Sequence, residues 1–213
     1  MLEDVIDQFK EGIDLILHPD TGTRPRMGTA QALKMYYMFS LVPAALGIVV
    51  GVIAIAAVPG AAQAAGLPGQ AGVFELAALA VLALLLQLWI FMPVIILILA
   101  GLLHAVGKVL GMFKGTYSNT ATAVVYSEFA LVSVVWLAAI PVVGPLVIFV
   151  ADIYGVWIFL SAAANQHKTT KTNAFIVGLV TVIILVIVIV MVAGAAAFGQ
   201  IGHGGLASPS SVA

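Results

Sequence analysis

The chain of 213 residues has no cysteine, which excludes disulfide bonds, thiol catalysis and thiolate metal sites. Charged residues are also scarce, at 8% against about 25% in soluble domains. Several uncharged runs exceed about 18 residues, the length that marks a transmembrane helix candidate. The composition therefore excludes a soluble globular protein. The net charge of −1 says nothing about nucleic acid, and we expect no nucleic-acid partner.

The motifs of common enzyme classes are missing too. The sequence has no glycine loop followed by Lys-Ser or Lys-Thr, no His-Glu-x-x-His and no nucleophile elbow. We therefore expect no catalytic residues, no enzymatic activity and no cofactor. The N-terminus, Met1-Leu2-Glu3-Asp4, is acidic, unlike the basic start of a cleaved signal peptide, so the first span should insert uncleaved.

Residues 1–34 are predicted to form a cytosolic amphipathic helix and a linker. Apolar residues recur with helical spacing over residues 2–17, acidic residues lie opposite them, and His18-Pro19 ends the pattern. Helices that bind anionic lipid carry Lys and Arg on the polar face, which this one does not. We therefore expect its apolar stripe, with Phe9, Ile13 and Ile16 as contact candidates, to pack against the bundle or a partner.

The rest of the chain predicts an all-α, polytopic membrane fold with five transmembrane helices over residues 35–198. The spans are expected at about 35–58, 73–103, 119–139, 145–163 and 173–198, and residues 199–213 as a flexible outside tail. Tyr36, Tyr37 and Phe39 predict an interfacial aromatic belt. The second span would be about 45 Å long against a hydrocarbon core of about 30 Å. It must tilt, kink at Pro93 or extend past the interface.

The basic residues predict the orientation. All eight fall on one side of a five-span arrangement, a pattern that four or six spans would break: Lys10, Arg24, Arg26, Lys34, Lys108, Lys114, Lys168 and Lys171. The positive-inside rule then places the N-terminus in the cytoplasm and the C-terminus outside. We expect a multi-pass protein of the cell (plasma) membrane.

Two acids lie well inside predicted spans, Glu128 in the third and Asp152 in the fourth, whereas Glu75 lies at the outer end of the second and is expected to be solvated. An antiparallel hairpin would bring them to nearby depths, where a carboxylate costs about 2.5–3.5 kcal/mol to insert. One hypothesis is a proton or cation site, since two adjacent acids can share a proton. The other is structural, with each acid neutral or hydrogen-bonded to Gln87, Tyr126 or Ser161.

Three histidines, His18, His104 and His167, are predicted to share the cytoplasmic interface. Imidazole binds zinc or copper, which makes the three weak metal-ligand candidates. They are isolated in sequence, without an HxxxH or Glu-x-x-His pair, and interfacial capping is the favoured interpretation. We predict no metal site.

A series of short motifs runs from about Leu102 to Phe175. They are Leu103-His104-Ala105-Val106-Gly107-Lys108-Val109-Leu110-Gly111, Val124-Val125-Tyr126-Ser127 within 120–127, Ile140-Pro141-Val142-Val143-Gly144, the stretch Tyr154–Leu160 and His167, with Leu17-His18-Pro19 ahead of the first span. In these motifs the chain resembles the Yip-domain (Ypt/Rab-interacting) membrane proteins, of the short prokaryotic type. The resemblance implies five spans, a cytosolic N-terminus and a short outside tail.

Eukaryotic relatives of that family bind lipid-modified Rab-type GTPases and one another, and they carry a cytosolic Asp-Leu-Tyr-Gly-Pro motif. No such motif precedes the first span, and the similar Asp152-Ile153-Tyr154-Gly155 lies inside a span, so GTPase binding is not carried over. The resemblance favours a non-enzymatic adaptor, organiser or accessory subunit, with a protein partner or a second copy beside the lipid bilayer. The alternative is a small permease or channel for protons, cations or a small solute that uses the intramembrane acids.

Overall fold

The structure of the chain, a computed structural model, describes residues 2–20, 27–57, 69–140 and 143–204. Over these ranges the fold is all-α, without a β-strand, and five helices are long and apolar enough to cross a membrane. The candidate spans are Thr29–Ala54, Phe74–Val109, Tyr117–Ala138, Val143–His167 and Lys171–Ala193. The predicted fold class is confirmed: the chain is a multi-pass membrane protein whose apolar helices contact the lipid bilayer.

In chain order the described helices are α1 (Leu2–Leu17), α2 (Thr29–Ala57), α3 (Gly69–Leu86), α4 (Met92–Val109), α5 (Tyr117–Val134), α6 (Val143–His167) and α7 (Lys171–Gly204). A π-helical turn, Gln87–Phe91, joins α3 to α4, and a 3₁₀ turn, Val135–Ala139, follows α5. The second span runs six residues beyond the predicted end at position 103, to Val109, and α7 enters the region predicted as a tail. Parts of the predicted linker, first outside loop, hairpin turn and tail, residues 21–26, 58–68, 141–142 and 205–213, lie outside the described residues.

Helix α5 is the centre of the bundle. It packs against α1, α2, α4 and α6, and half of its most apolar stretch is buried, against 11% for α7. A stack of three aromatic rings links the N-terminal helix to this centre: the Phe9 and Phe39 centroids lie 5.2 Å apart, and those of Phe39 and Phe129 lie 4.4 Å apart. Phe39, predicted to belong to an interfacial belt, is fully buried and is a core residue.

The long second span contains a defect in its hydrogen-bond ladder. The Met92 N–H donates to the carbonyl of Gln87, five residues earlier, instead of to Leu88. Position 93 is proline, which has no N–H to offer Trp89, the residue four positions before it. The carbonyls of Leu88 and Trp89 therefore both lack their usual helical donors. In a bilayer such groups need another partner, because no water reaches them.

Two consecutive tyrosines of α2 supply those partners. The Tyr36 hydroxyl donates to the Leu88 carbonyl at 3.1 Å, and the Tyr37 hydroxyl donates to the Trp89 carbonyl at 3.3 Å. Tyr36 is fully buried, whereas Tyr37 is exposed on the bundle surface. The Trp89 indole N–H donates in turn to Ser40 Oγ at 3.2 Å. The belt predicted from these tyrosines is thus a clamp that joins α2 to the π-helical turn.

Candidate functional site

Glu128 and Asp152 line the same cavity. Glu128 is half-buried on α5 and Asp152 is exposed on α6, and residues of α4 and α7 complete the walls. The cavity has a volume of about 450 Å³, within the range of about 300–1,000 Å³ that small-molecule sites occupy. The acids predicted from the sequence therefore meet at an open space within the membrane-spanning part of the bundle.

A close contact between α5 and α6 sets this arrangement. A Cβ placed on Gly155 would lie 2.9 Å from the carbonyl oxygen of Ser127, so only glycine fits there without displacing a helix. Ser127 directly precedes Glu128, and Asp152 lies one turn before Gly155. This close contact lies beside the two acids, and all four residues line the cavity.

The polar part of the cavity wall consists of four side chains: Glu128, Asp152, Ser127 and Thr181. The two hydroxyl groups donate their protons within their own helices and not into the cavity. Ser127 donates to the carbonyl of Val124 at 2.7 Å, and Thr181 donates to the carbonyl of Val177 at 2.8 Å. Their oxygens therefore offer lone pairs to the cavity, as ionised carboxylates do. Sequence reasoning missed both hydroxyls, although Thr181 stands alone as a polar residue in the apolar run of α7 and is the signal that could have found it.

The cavity opens towards the lipid between α6 and α7. Four of its lining residues are about half exposed: Val156 on α6 at 54%, and Phe175, Leu179 and Val182 on α7 at 51%, 48% and 55%. These residues belong to the apolar outer surface of the bundle, which faces the acyl chains. A molecule dissolved in the bilayer therefore meets this opening directly.

None of the three side chains predicted to hydrogen-bond the acids lines the cavity. Gln87 is exposed in the π-helical turn and is not part of the cavity wall. Tyr126 is buried on α5 beside Phe129, with ring centroids 6.0 Å apart. The Ser161 hydroxyl donates to Asp20 at 2.7 Å, a contact with the N-terminal region that the sequence did not indicate.

Two of the three predicted histidines meet at the end of α6. Thr120 Oγ1 lies 2.9 Å from His104 Nδ1 and 3.0 Å from His167 Nε2. The two imidazole centroids are 6.1 Å apart. His18 lies apart from them, on the exposed side of the N-terminal region, with Nδ1 3.1 Å from Asp14. Within the described part of the chain, no group of three or more His, Asp or Glu side chains is placed to hold a metal ion.

The hydrogen bond from Gly115 defines the proton position on the neutral His167 ring. The Gly115 N–H donates to His167 Nδ1 at 3.1 Å, so that nitrogen carries the lone pair and Nε2 carries the proton of the neutral ring. His167 Nε2 then donates to Thr120 Oγ1, and the Thr120 hydroxyl and His104 Nδ1 share a hydrogen bond in which either group can be the donor. His167 also stacks on Phe113 at 4.0 Å. The result is a buried polar junction of α4, α5 and α6 and the connection before α5.

The predicted contact residues of the N-terminal helix pack against the bundle. Phe9, Ile13 and Ile16 are partly buried against the hydrophobic core, and Leu15 is 2% exposed. The Tyr154 hydroxyl on α6 donates to the carbonyl of Ile16 at 2.6 Å. The apolar stripe of α1 is therefore covered by this chain itself from Phe9 to Ile16, while Ile6 stays 43% exposed and the acidic side faces outwards.

A polar latch, formed by Asp20, Lys171 and Ser161, holds the segment after α1. Asp20 accepts hydrogen bonds from Lys171 Nζ at 2.5 Å and from Ser161 Oγ at 2.7 Å. These bonds, that of Lys171 first, hold the pKa of Asp20 below its usual value. The Lys171 ammonium also lies 4.1 Å from the centroid of the Trp157 ring. The latch ties the N-terminal region to α6 and to the start of α7.

No protein-family model, no curated protein and no solved structure matches the chain.

Proposed function

We propose that this chain is a non-enzymatic membrane protein that binds a small cationic solute at Glu128 and Asp152 and passes it into or through the bilayer. One observation carries the proposal: both acids line a cavity whose other polar side chains present only acceptor oxygens. Among the described residues, that wall contains no Lys or Arg to neutralise the acids. A bound cation would supply the missing charge, since an ionised acid in a low-dielectric site is costly without one.

Flux through reconstituted vesicles tests this proposal. We expect purified protein to carry protons, Tl⁺ or methylammonium, each followed with its own reporter, and the double variant Glu128→Gln/Asp152→Asn to abolish the flux while it leaves thermal unfolding nearly unchanged. The matched control is Glu75→Gln, which removes an exposed acid near the start of α3, outside the cavity wall. Wild-type vesicles that carry none of the three cations, or a double variant with undiminished flux, would contradict the proposal.

A second function, that of an adaptor, is favoured by the packing of α1. The bundle holds this helix through Phe9 and Leu15, and Glu3, Asp7 and Asp14 are exposed on it. A fixed helix with an acidic outer side is suited to hold a basic segment of another protein. With charge reversal by Asp7→Lys, a specific protein should no longer co-purify in mild detergent, whereas with Glu75→Lys it should still do so. If Asp7→Lys leaves the set of co-purifying proteins unchanged, the adaptor function is contradicted.

We also propose that the chain is a distant Yip-type protein of the plasma membrane, with its N-terminus in the cytoplasm and its C-terminus outside. The five candidate spans and the one-sided basic residues support this. A reporter fused after Ala213 should report the outside, and one inserted at Thr169 the cytoplasm. Both reporters on the same side would remove the five-span topology.

A further inference from the structure

The cavity wall selects for a ligand that donates hydrogen bonds. Each of its four polar side chains presents acceptor oxygens, because the hydroxyl groups of Ser127 and Thr181 donate their hydrogen bonds to backbone carbonyls of their own helices. A ligand with its own acceptors would find no donor among these side chains while the acids are ionised. An ammonium group, with three donors and one positive charge, complements such a wall.

The remainder of the wall selects for an apolar body. Thirteen of its seventeen residues are aliphatic, aromatic or glycine, among them Leu99, Phe159 and Phe175. A volume of about 450 Å³ is far larger than one dehydrated ion needs. A hard cation such as Ca²⁺ takes about 6–8 oxygen ligands, and the four polar side chains reach the lower limit only if both carboxylates bind through both oxygens. The wall therefore fits an amphipathic molecule better than an inorganic ion.

The position of the opening indicates how such a molecule arrives. Half-exposed lining residues flank the opening on the lipid-facing surface, Val156 on α6 and Leu179 and Val182 on α7. An alkylamine partitions into the bilayer with its chain among the lipids, so it approaches the opening from the side. Its apolar chain then exchanges contacts with lipid for contacts with the cavity wall. Its charged nitrogen forms hydrogen bonds and ion pairs with the two acids.

We propose that the ligand is a lipid-soluble primary amine that enters laterally between α6 and α7. Its ammonium group binds between Glu128 and Asp152, and its apolar chain lies along Phe159 and Phe175. This inference rests on the proposed function and names the class of cationic solute that the site takes.

Binding to the full chain in zwitterionic lipid nanodiscs, with empty nanodiscs subtracted, tests the inference. The probes are octylammonium, octanol and Na⁺. We expect octylammonium to bind about tenfold or more tightly than octanol, since a charge-assisted hydrogen bond is of the strong class. Glu128→Gln/Asp152→Asn should abolish that difference and Glu75→Gln should preserve it. Gly178→Leu should weaken octylammonium, because a Cβ at Gly178 has room, its nearest neighbour being Phe159 at 4.0 Å, and the longer side chain fills the cavity.

Each other outcome has a defined meaning. Equal binding of octylammonium and octanol would overturn the inference. If Na⁺ binds in a way that depends on the two acids and octylammonium does not bind, the inference is overturned and the proposed function stands. If no probe binds in a way that depends on the acids, the inference and the proposed function are both overturned. The sequence lacks cysteine, so Val156→Cys gives a single thiol at the opening. Disulfide-linked pairs of this variant, together with no amine binding, would assign the opening to a second copy of the chain and overturn the inference.

Discussion

The Tyr36 hydroxyl lies 3.1 Å from the carbonyl oxygen of Leu88, 52 positions further along the chain, and donates a hydrogen bond to it. Tyr36 is fully buried. The carbonyl is one that the π-helical turn deprives of its usual donor. A side chain of one span thus completes the backbone hydrogen bonding of another.

Tyr36→Phe should therefore destabilise the bundle by about 1–3 kcal/mol, the cost of a buried acceptor left without a donor. Thermal unfolding in mild detergent measures the effect. Tyr37→Phe should cost less, because its side chain is exposed, at 37%. Pro93→Ala provides the test of mechanism: it restores an N–H four residues after Trp89, so Tyr37→Phe should cost less in that background. Equal costs in both backgrounds would show that the Tyr37 hydroxyl does not act through the broken ladder.

Gly155→Ala should destabilise the bundle by about 1–3 kcal/mol, as overpacking in a well-packed core does. The added Cβ would lie 2.9 Å from the Ser127 carbonyl oxygen, so α5 and α6 must separate. Gly178→Ala is the matched control, since its Cβ has its nearest neighbour at an ordinary 4.0 Å. The free energy of unfolding should fall for the first variant alone; the same loss in both would point to helix-wide effects of removing glycine.

Lys168→Gly should stabilise the chain by up to about 1 kcal/mol, because an L-residue pays in strain for a left-handed conformation. Lys168 has φ of 51°, directly after α6, where Thr169 N–H donates back to Ala164 at 2.9 Å. Lys168→Ala keeps the strain and should bring no gain. If the alanine variant gains as much in thermal unfolding as the glycine variant, the backbone conformation is not the cause.

The Asp20 latch should weaken in acid. Its hydrogen bonds lower the pKa of Asp20, so its contribution is present at neutral pH and is lost as the pH falls below the usual aspartate range of about 4. The protection of the α1 amides against hydrogen exchange, taken relative to the intrinsic rate at each pH, should fall over that range. Asp20→Asn should already show faster exchange at pH 7, while Asp7→Asn, on the exposed side of α1, should not. Unchanged exchange in Asp20→Asn would mean that apolar packing alone holds the helix.

The sequence predicted the parts of the fold that depend on hydrophobic length. Long, predominantly apolar runs indicate a membrane span whatever their neighbours are, and the described part of the structure has five helices of this kind. The apolar stripe with Phe9, Ile13 and Ile16 follows from helical spacing, and the structure packs it on the bundle. These features depend only on residues close together in the chain, so a single sequence is sufficient to predict them.

Contacts between distant segments were beyond that reasoning. The tyrosines of α2 were predicted to form an interfacial belt because they lie at the end of a span. Nothing in their local sequence indicates that the carbonyls of Leu88 and Trp89 lack donors. Ser161 was assigned to the acids because it shares a span with one of them, whereas it faces Asp20. Side-chain direction within a uniformly apolar helix has no periodic signal, because both lipid and core accept the same residues.

The burial of α5 has a consequence for biogenesis. This span contains Asn119, Thr120, Thr122 and Glu128, is the least apolar of the five, and has half of its most apolar stretch buried by neighbours. Released alone from a ribosome into the bilayer, it would expose these groups to acyl chains, at a cost that its apolar residues offset less than those of the other spans do. The connection to α6 is short, and α6 packs along α5. We therefore expect the two helices to insert as a pair, so that the nascent chain depends most on the insertion machinery between the synthesis of α5 and that of α6.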